Sequence, residues 1–324
     1  MITEDNQKTV IRIPHAIHQQ MLNDLCRPHA FADERIGFLY TKSKVLKNGN
    51  GIILGLYYTS VEDENYIEDE EVGAKINSSA IRSAMQNSFN LKSGCFHVHL
   101  HEHHGIPRTS ETDRCELPGI VRSLANIAPT QINGYIILSN DSAISQVQLQ
   151  GCQALVSVES ISVVGDPFQV NFSRRDRKIT NVYDRQSFLG PNSQFLFENI
   201  RVGIIGYGGG GSHVGIQLAH LGIGNIMIFD NDIVEETNLN RLIGARFIDS
   251  KEKVLKTEVA KRVITSASPT TNVLVINSRW QDNPEYLQEC DIIIGCVDSY
   301  AERQQAESEC RRYLIPYIDI GMDV

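Results

Sequence analysis

The chain has no apolar run near the roughly 20 residues that a membrane-spanning helix needs. It has no basic excess either: 30 Lys and Arg stand against 39 Asp and Glu, for a net charge of −9. Nucleic acid and anionic membranes both reward a basic face, so neither is expected as a partner. The seven cysteines (Cys26, Cys95, Cys115, Cys152, Cys290, Cys296 and Cys310) are odd in number, scattered and never spaced as CxxC. That pattern excludes a disulfide framework and a four-cysteine zinc site. The opening residues MITEDNQKTVIRIPHA lack the basic-then-apolar order of a signal peptide, and no repeat or low-complexity tract occurs. These absences point to the reducing cytoplasm, and 324 residues is enough chain for two domains with separate cores.

The pattern of elements differs between the two halves. Residues 8–22 read as a strand entering a helix, and 35–58 as two strands around a turn at Lys47–Gly51. An acidic loop, EDENYIEDEE, precedes a helix expected at 78–90. FHVHLH at 96–101 alternates as a strand does, and GYIILS with SAISQVQLQG predicts a hairpin around Asn140–Asp141. Strands and helices without regular alternation indicate an α+β domain over residues 1–165. Residues 166–180, which include the polar, basic SRRDRKIT, read as a linker. From 181 the order becomes VGIIG, a glycine turn, the helix SHVGIQLAHLG and the strand NIMIFD. A helix near 252–266, strands NVLVIN and DIIIGC, a helix at 300–313 and the strand YIDIG follow. Regular alternation of this kind predicts an α/β, Rossmann-like, doubly wound parallel sheet over 181–324.

In that second half, Gly206, Gly208 and Gly211 form G-x-G-x-x-G between a buried strand and a helix, with Gly209 inside the loop. Glycines let phosphates approach the backbone, and the helix N-terminus offers unpaired N–H groups and partial positive charge. Asp230 closes the next strand, where a carboxylate can accept from ribose hydroxyls. The fingerprint alone suits an NAD dehydrogenase as well as an ATP user, and a merely tight strand–helix turn is the plain alternative. The stretch FDNDIVEETNLNRLIGARFIDSKEKVLKTEVAKR, with GCVDSYAER further on and YDRQSFLG upstream, resembles the ThiF/MoeB/HesA family that includes the ubiquitin-activating enzymes. The matching positions are Asp230 and Asp232, Asn238, Arg241, Lys256, Asp298 and Arg185.

That resemblance implies ATP-dependent adenylation of a C-terminal glycine. Arg241 and Lys256 would hold phosphates, Asn238 would support them, Asp298 would bind Mg2+, and Arg185 would reach ATP in a partner subunit, hence a homodimer. A long spacing after Arg241 leaves Lys253 as a reserve for Lys256. Gly210 departs from the family by extending the glycine run. The chain also stops where the family continues toward its thioester cysteine, so an N-terminal half of the domain is expected. Cys296 and Cys310 read as core residues rather than nucleophiles. Singly, Arg241 and Lys256 read as surface charges and Asp298 as a helix cap.

The first half concentrates five histidines in CFHVHLHEHHGIPRTSETD, at 97, 99, 101, 103 and 104, ahead of Ser110 and Asp113. Side chains two apart on a strand share a face, so His97 and His99 can address one ion with Asp113. Two imidazoles and a carboxylate leave one tetrahedral position open, as in a catalytic zinc site. The motif, with Glu34 in ERIGFL, resembles the JAMM/MPN metalloproteases, whose pattern is a distant glutamate, then H-x-H, then S-x-x-D. The resemblance implies Zn2+ on His97, His99 and Asp113, with Glu34 taking a proton from the water at the metal and Ser110 bonding the oxyanion. The pair His99 and His101 fits the family's gap more closely, so both registers stay open. A solvated histidine-rich strand end or an inactive fold is the alternative to a metal site.

Together the halves imply a bifunctional enzyme that trims or releases, and then activates, a ubiquitin-like or sulfur-carrier protein ending in glycine. A conjugating enzyme is a further partner that the resemblance admits. The rival readings are a non-catalytic JAMM-like scaffold and sulfur-carrier activation in cofactor synthesis.

Overall fold

The computed structural model describes residues 8–28, 33–69, 73–152, 154–173, 181–190 and 192–321. They divide into two compact units, one over residues 1–175 and the other over 176–324. In chain order the first unit contains β1 (Thr9–Pro14), α1 (His15–Leu25), β2 (Ile36–Val45), β3 (Gly51–Ser60), α2 (Ser78–Leu91) and β4 (Gly94–Leu100). It continues with α3 (Glu111–Ile127), β5 (Asn133–Leu138), β6 (Ala143–Gln148), β7 (Leu155–Ser157), β8 (Ser160–Val164) and β9 (Gln169–Phe172). The second holds α4 (Ser193–Asn199), β10 (Arg201–Ile205), α5 (Gly209–Leu221), β11 (Asn225–Phe229), α6 (Phe247–Lys251), α7 (Lys256–Ala267) and β12 (Asn272–Ile276). It closes with α8 (Pro284–Gln288), β13 (Ile292–Gly295), α9 (Tyr300–Arg312) and β14 (Tyr317–Asp319).

The nine strands of the first unit form one mixed sheet in the order β7-β6-β5-β4-β2-β3-β1-β8-β9. All seven residues of β4 are buried, because both faces of the sheet are covered. Phe96, Val98 and Leu100 join the core beneath α1 with Met21 and Leu25. Cys95 packs on the opposite face with Ala80 and Ala84 of α2 and Leu124 of α3. The period of two therefore turns His97 and His99 toward α3, against the apolar pull of a buried strand. Gly37, the glycine of ERIGFL, lies beneath the Tyr58 ring, and a Cβ there would collide with the phenol. That phenol donates to Asp24 at 2.6 Å.

The expected linker needs correction. Residues 169–172 are β9, paired antiparallel with β8 from Ser160↔Phe172 to Val163↔Gln169. Strand pairing satisfies their backbone groups, which a linker would leave to water. Residues 174–180 lie outside the described residues. The helix α3 was also unforeseen. Its start is marked by a capping box in which the Ser110 hydroxyl accepts from the Asp113 amide and the Asp113 carboxylate accepts from the Ser110 amide.

The second unit is a five-stranded sheet in the order β12-β11-β10-β13-β14, with every neighbouring pair parallel. The strand order reverses between β10 and β13, and a ligand crevice forms outside the carboxyl ends of strands at such a point. One face buries Trp280, Leu287, Ala306 and Cys310 against Ile205, Phe229 and Ile293. Among the described residues no helix is long and apolar enough to cross a membrane.

Candidate functional sites

In the first unit, β4 and the two residues around its end aim a ladder of imidazoles along one sheet face. The rings of His97 and His99 are 5.4 Å apart and those of His99 and His101 4.9 Å apart. The Nε2 atoms of His99 and His101 stand 3.1 Å from each other. Asp113, in the first turn of α3, brings Oδ1 to 3.3 Å from His99 Nε2 and Oδ2 to 3.6 Å from His101 Nε2. Glu34 closes the group from the segment before β2, with Oε1 3.7 Å from His101 Nε2. Ligand atoms of Glu34, His99 and His101 all fall within 4.8 Å of one another.

Zinc bonds of 2.0–2.1 Å in a tetrahedron put neighbouring ligand atoms about 3.3 Å apart, close to the 3.1 Å between His99 and His101 and the 3.3 Å from His99 to Asp113 Oδ1. Two imidazole nitrogens facing each other at 3.1 Å also need a proton or a cation between their lone pairs. Burial works to raise the Asp113 carboxyl, yet the His99 imidazole and the Ser110 amide outweigh it and hold it well below the usual carboxylate range. Glu34 is pushed the other way: burial raises it, helped by Asp113 and Asp33 and opposed by His99. The two carboxyls are thus shifted in opposite directions, Asp113 down and Glu34 up.

Of the two registers left open by the sequence, the structure brings together His99 and His101. His97, expected as a ligand, sits one step deeper with its ring edge against Phe38, centroids 5.9 Å apart. Burial, with help from His99, lowers its pKa to about 3, so it is a neutral core imidazole whose Nδ1 has no partner among the described residues. The physical reason is depth: His99, near the end of β4, and His101, just beyond it, are the imidazoles that come within 3.6 Å of Asp113 at the start of α3. The Ser110 oxygen accepts from the Asp113 amide at 3.0 Å, a bond that leaves the hydroxyl proton expected to serve an oxyanion free to donate. What Ser110 does here is fix Asp113, whose Oδ2 takes the Ser110 amide at 2.7 Å.

In the second unit the chain leaves β10 through Gly206 at φ +86°, a left-handed conformation that favours glycine. Gly211 has no room for a side chain, because a Cβ would strike the Gly206 carbonyl. Gly208 is different. Nothing lies within 4 Å of where its Cβ would be, which is the open approach a phosphate needs beside the start of α5. Gly209 faces the aliphatic stem of Arg241, and the added Cβ would come within 3.3 Å of its Cδ. Gly211→Ala should therefore cost about 1–3 kcal/mol, the usual penalty of overpacking. Gly208→Ala should leave the thermal midpoint within a degree or two, a contrast that calorimetry would check.

Asp230 accepts from the Tyr207 amide at 2.7 Å and the Asp232 amide at 2.8 Å, which ties the second strand's end to the glycine loop. Asp232 in turn pairs with Lys256, the first residue of α7, at 2.7 Å. Lys256 is largely buried while Asp232 is open, so the ammonium is presented from within the fold. Lys253, the reserve position, sits in the preceding loop at φ 52°. Asn238 is buried, and its side-chain oxygen accepts from the Glu235 amide at 3.0 Å, shaping the turn that carries Arg241. Asp298 is exposed beyond β13 and does not cap α9; Ser299 does, accepting from the Glu302 amide. Arg185 lies exposed in the 3-10 segment Asn181–Leu189.

Sequence reasoning missed the wall of this crevice. A pocket of about 220 Å³ is lined by Gly206, Asp230 and Asp232 together with Ser278, Arg279, Trp280 and Glu302. The signal available was position: these residues follow β12 and open α9, at the carboxyl ends of the strands.

Of the two cysteines expected to be core residues, Cys310 is buried in the core, whereas Cys296 is half-buried just past the end of β13. Burial, with Asp319 adding to it, pushes the Cys296 thiol up to about 12, and Cys310 is fully buried. A thiol that stays protonated is a poor nucleophile. No reducible adduct is expected on either when the protein meets ATP, Mg2+ and a ubiquitin-like partner. A thiol-sensitive band on a non-reducing gel, lost on Cys296→Ala or Cys310→Ala, would overturn this.

Comparison with known proteins bears on the second unit. Residues 183–322 match the model of the ThiF family. Over 141 residues the chain is 30% identical to a molybdopterin-synthase adenylyltransferase of Haemophilus influenzae, covering 42% of this chain and 57% of that protein. Over 143 residues it is 28% identical to ubiquitin-like modifier-activating enzyme 5 of Drosophila willistoni, covering 39% of this chain and 34% of that one. A solved structure of the E. coli tRNA N6-threonylcarbamoyladenosine dehydratase TcdA in complex with ATP is 27% identical, with 44% of this chain and 61% of that chain covered and a TM-score of 0.40. The chain spans about half or less of the length of these curated relatives. Residues 183–322, with their glycine loop, strand-end carboxylate and helix-opening lysine, are a ThiF family domain.

Proposed function

We propose that the second unit binds ATP with Mg2+ and adenylates the C-terminal glycine of a ubiquitin-like or sulfur-carrier protein. The observation that carries this is the chain Tyr207–Asp230–Asp232–Lys256, which sets a carboxylate and a half-shielded ammonium beside an open glycine loop within a ThiF family domain. Adenylation needs no strong general base, because the attacking carboxylate is already ionised. It needs charge neutralised around a triphosphate, and Lys256 and Arg241 supply cations while Asp298 is the candidate for the magnesium. Arg185 is the candidate to reach the nucleotide of a second copy, which makes a homodimer part of the reading. The test is ATP–pyrophosphate exchange that depends on a partner protein with a free terminal glycine. Exchange that proceeds equally without the partner sinks the reading.

A second activity is favoured by the spacing of His99, His101 and Asp113. We infer a JAMM/MPN-type zinc isopeptidase in the first unit, acting on the same tail. A bound zinc would polarise the scissile carbonyl and ease ionisation of the attacking water. Glu34, beside the metal donors and raised by burial, accepts the water's proton and passes it to the leaving amine. Purified protein should then carry about one zinc per chain, as a catalytic site retains its metal. Protein that binds no zinc on dialysis against the ion returns this half to a scaffold. Which protein supplies the tail, a modifier or a sulfur carrier in cofactor synthesis, depends on its sequence.

A further inference from the structure

Glu34 stands between two strands' worth of anchoring. The Gly73 carbonyl accepts from the amides of Asp33 at 2.8 Å and Glu34 at 2.9 Å. On the other side, the Ile36 amide donates to the Tyr66 hydroxyl at 2.8 Å. Arg35 is buried and turned inward, its Nε donating to the Arg27 carbonyl at 2.6 Å and its Nη1 to Asp63 at 2.8 Å. The backbone around Glu34 is therefore fixed by the segment that follows β3.

The carboxylate itself meets the same segment. A Cβ added at Gly73 would lie 2.8 Å from Glu34 Cδ and 3.0 and 3.1 Å from its two oxygens. Those separations are closer than a methyl group tolerates. The carboxylate is the far end of a flexible side chain, so it would yield before the fold did. An alanine methyl at 73 would thus press on the carboxylate, which now stands 3.7 Å from His101 Nε2.

We propose that Gly73 is a positioning residue for Glu34: its carbonyl holds the Glu34 amide, and its missing side chain admits the carboxylate to the His99–His101–Asp113 group. This rests on the hydrolase reading of the first unit. Displacing a reacting group by about 1 Å costs roughly a hundredfold in rate. In the zinc-loaded protein, Gly73→Ala should keep its zinc and lower kcat for tail cleavage by about ten- to a hundredfold, with KM little changed. Independently of activity, Gly73→Ala should lower the thermal midpoint of the parent but not of a Glu34→Ala background, where the carboxylate is gone and the added methyl has room.

Equal midpoint losses in both backgrounds would mean that the alanine strains the backbone rather than meeting Glu34, and would overturn the proposal. Unchanged kcat in Gly73→Ala would overturn it too. A parent that loads zinc yet cleaves no tail overturns the hydrolase reading alone, and the midpoint comparison still decides the role of Gly73.

Discussion

Glu34→Gln should leave zinc bound and remove tail cleavage, with the rate falling by about 10²- to 10⁴-fold, the usual contribution of a positioned general base. The amide is nearly isosteric, so the backbone anchors at Gly73 and Tyr66 are untouched while the proton acceptor is lost. Asp113→Asn should behave differently. The amide oxygen can still accept from the Ser110 amide, so the start of α3 survives, but the charge opposite His99 and His101 is gone. Zinc should be lost along with activity. His101→Ala should match Asp113→Asn, and His97→Ala should retain zinc, since His97 lies outside the converging donors. Metal content by atomic absorption, read beside a cleavage assay, separates the cases. If His97→Ala empties the site and His101→Ala does not, the register argued here is wrong.

That register shows what one sequence can and cannot disclose. Strand periodicity places His97, His99 and His101 on one face with equal weight, because all three share a parity. Choosing among them requires the depth of each below α3, a tertiary fact. The same limit governed Ser110 and Asp113. Read for chemistry, S-x-x-D was half of a metal motif; read for backbone, it was the capping box that starts an unforeseen helix. At Asp113 the second reading explains the orientation of the carboxylate toward His99 and His101.

The parallel sheet of the second unit was legible because strands, glycines and helices alternate strictly, and each apolar run is too short to be anything but a buried strand. The equally short β7, β8 and β9 were not, since no helices alternate with them to mark where each strand begins and ends. The crevice wall at Ser278–Trp280 and Glu302 was hidden for another reason. Those residues meet only when β12 and β13 flank β10 and β11, an order that no local pattern encodes.

That wall supplies the means to test the nucleotide site. Trp280 is the single tryptophan of the chain and lines the pocket that Asp230 and Asp232 enter. Nucleotide entering there should change its fluorescence, so binding can be followed without a label. Lys256→Ala removes a largely buried ammonium that now answers Asp232. A charge-assisted bond to phosphate is worth about 1.5–3 kcal/mol, so the Kd for ATP should rise by roughly ten- to a hundredfold. AMP, which lacks the outer phosphates, should lose at most about twofold. Pyrophosphate exchange should fall further, by about 10²- to 10³-fold, if the lysine also steadies charge as pyrophosphate departs. The selective loss matters more than its size. An equal loss for ATP and AMP would make Lys256 a support for Asp232 and the ribose side rather than a phosphate ligand. Tighter binding of NAD than of ATP to the parent would return the whole crevice to dehydrogenase chemistry.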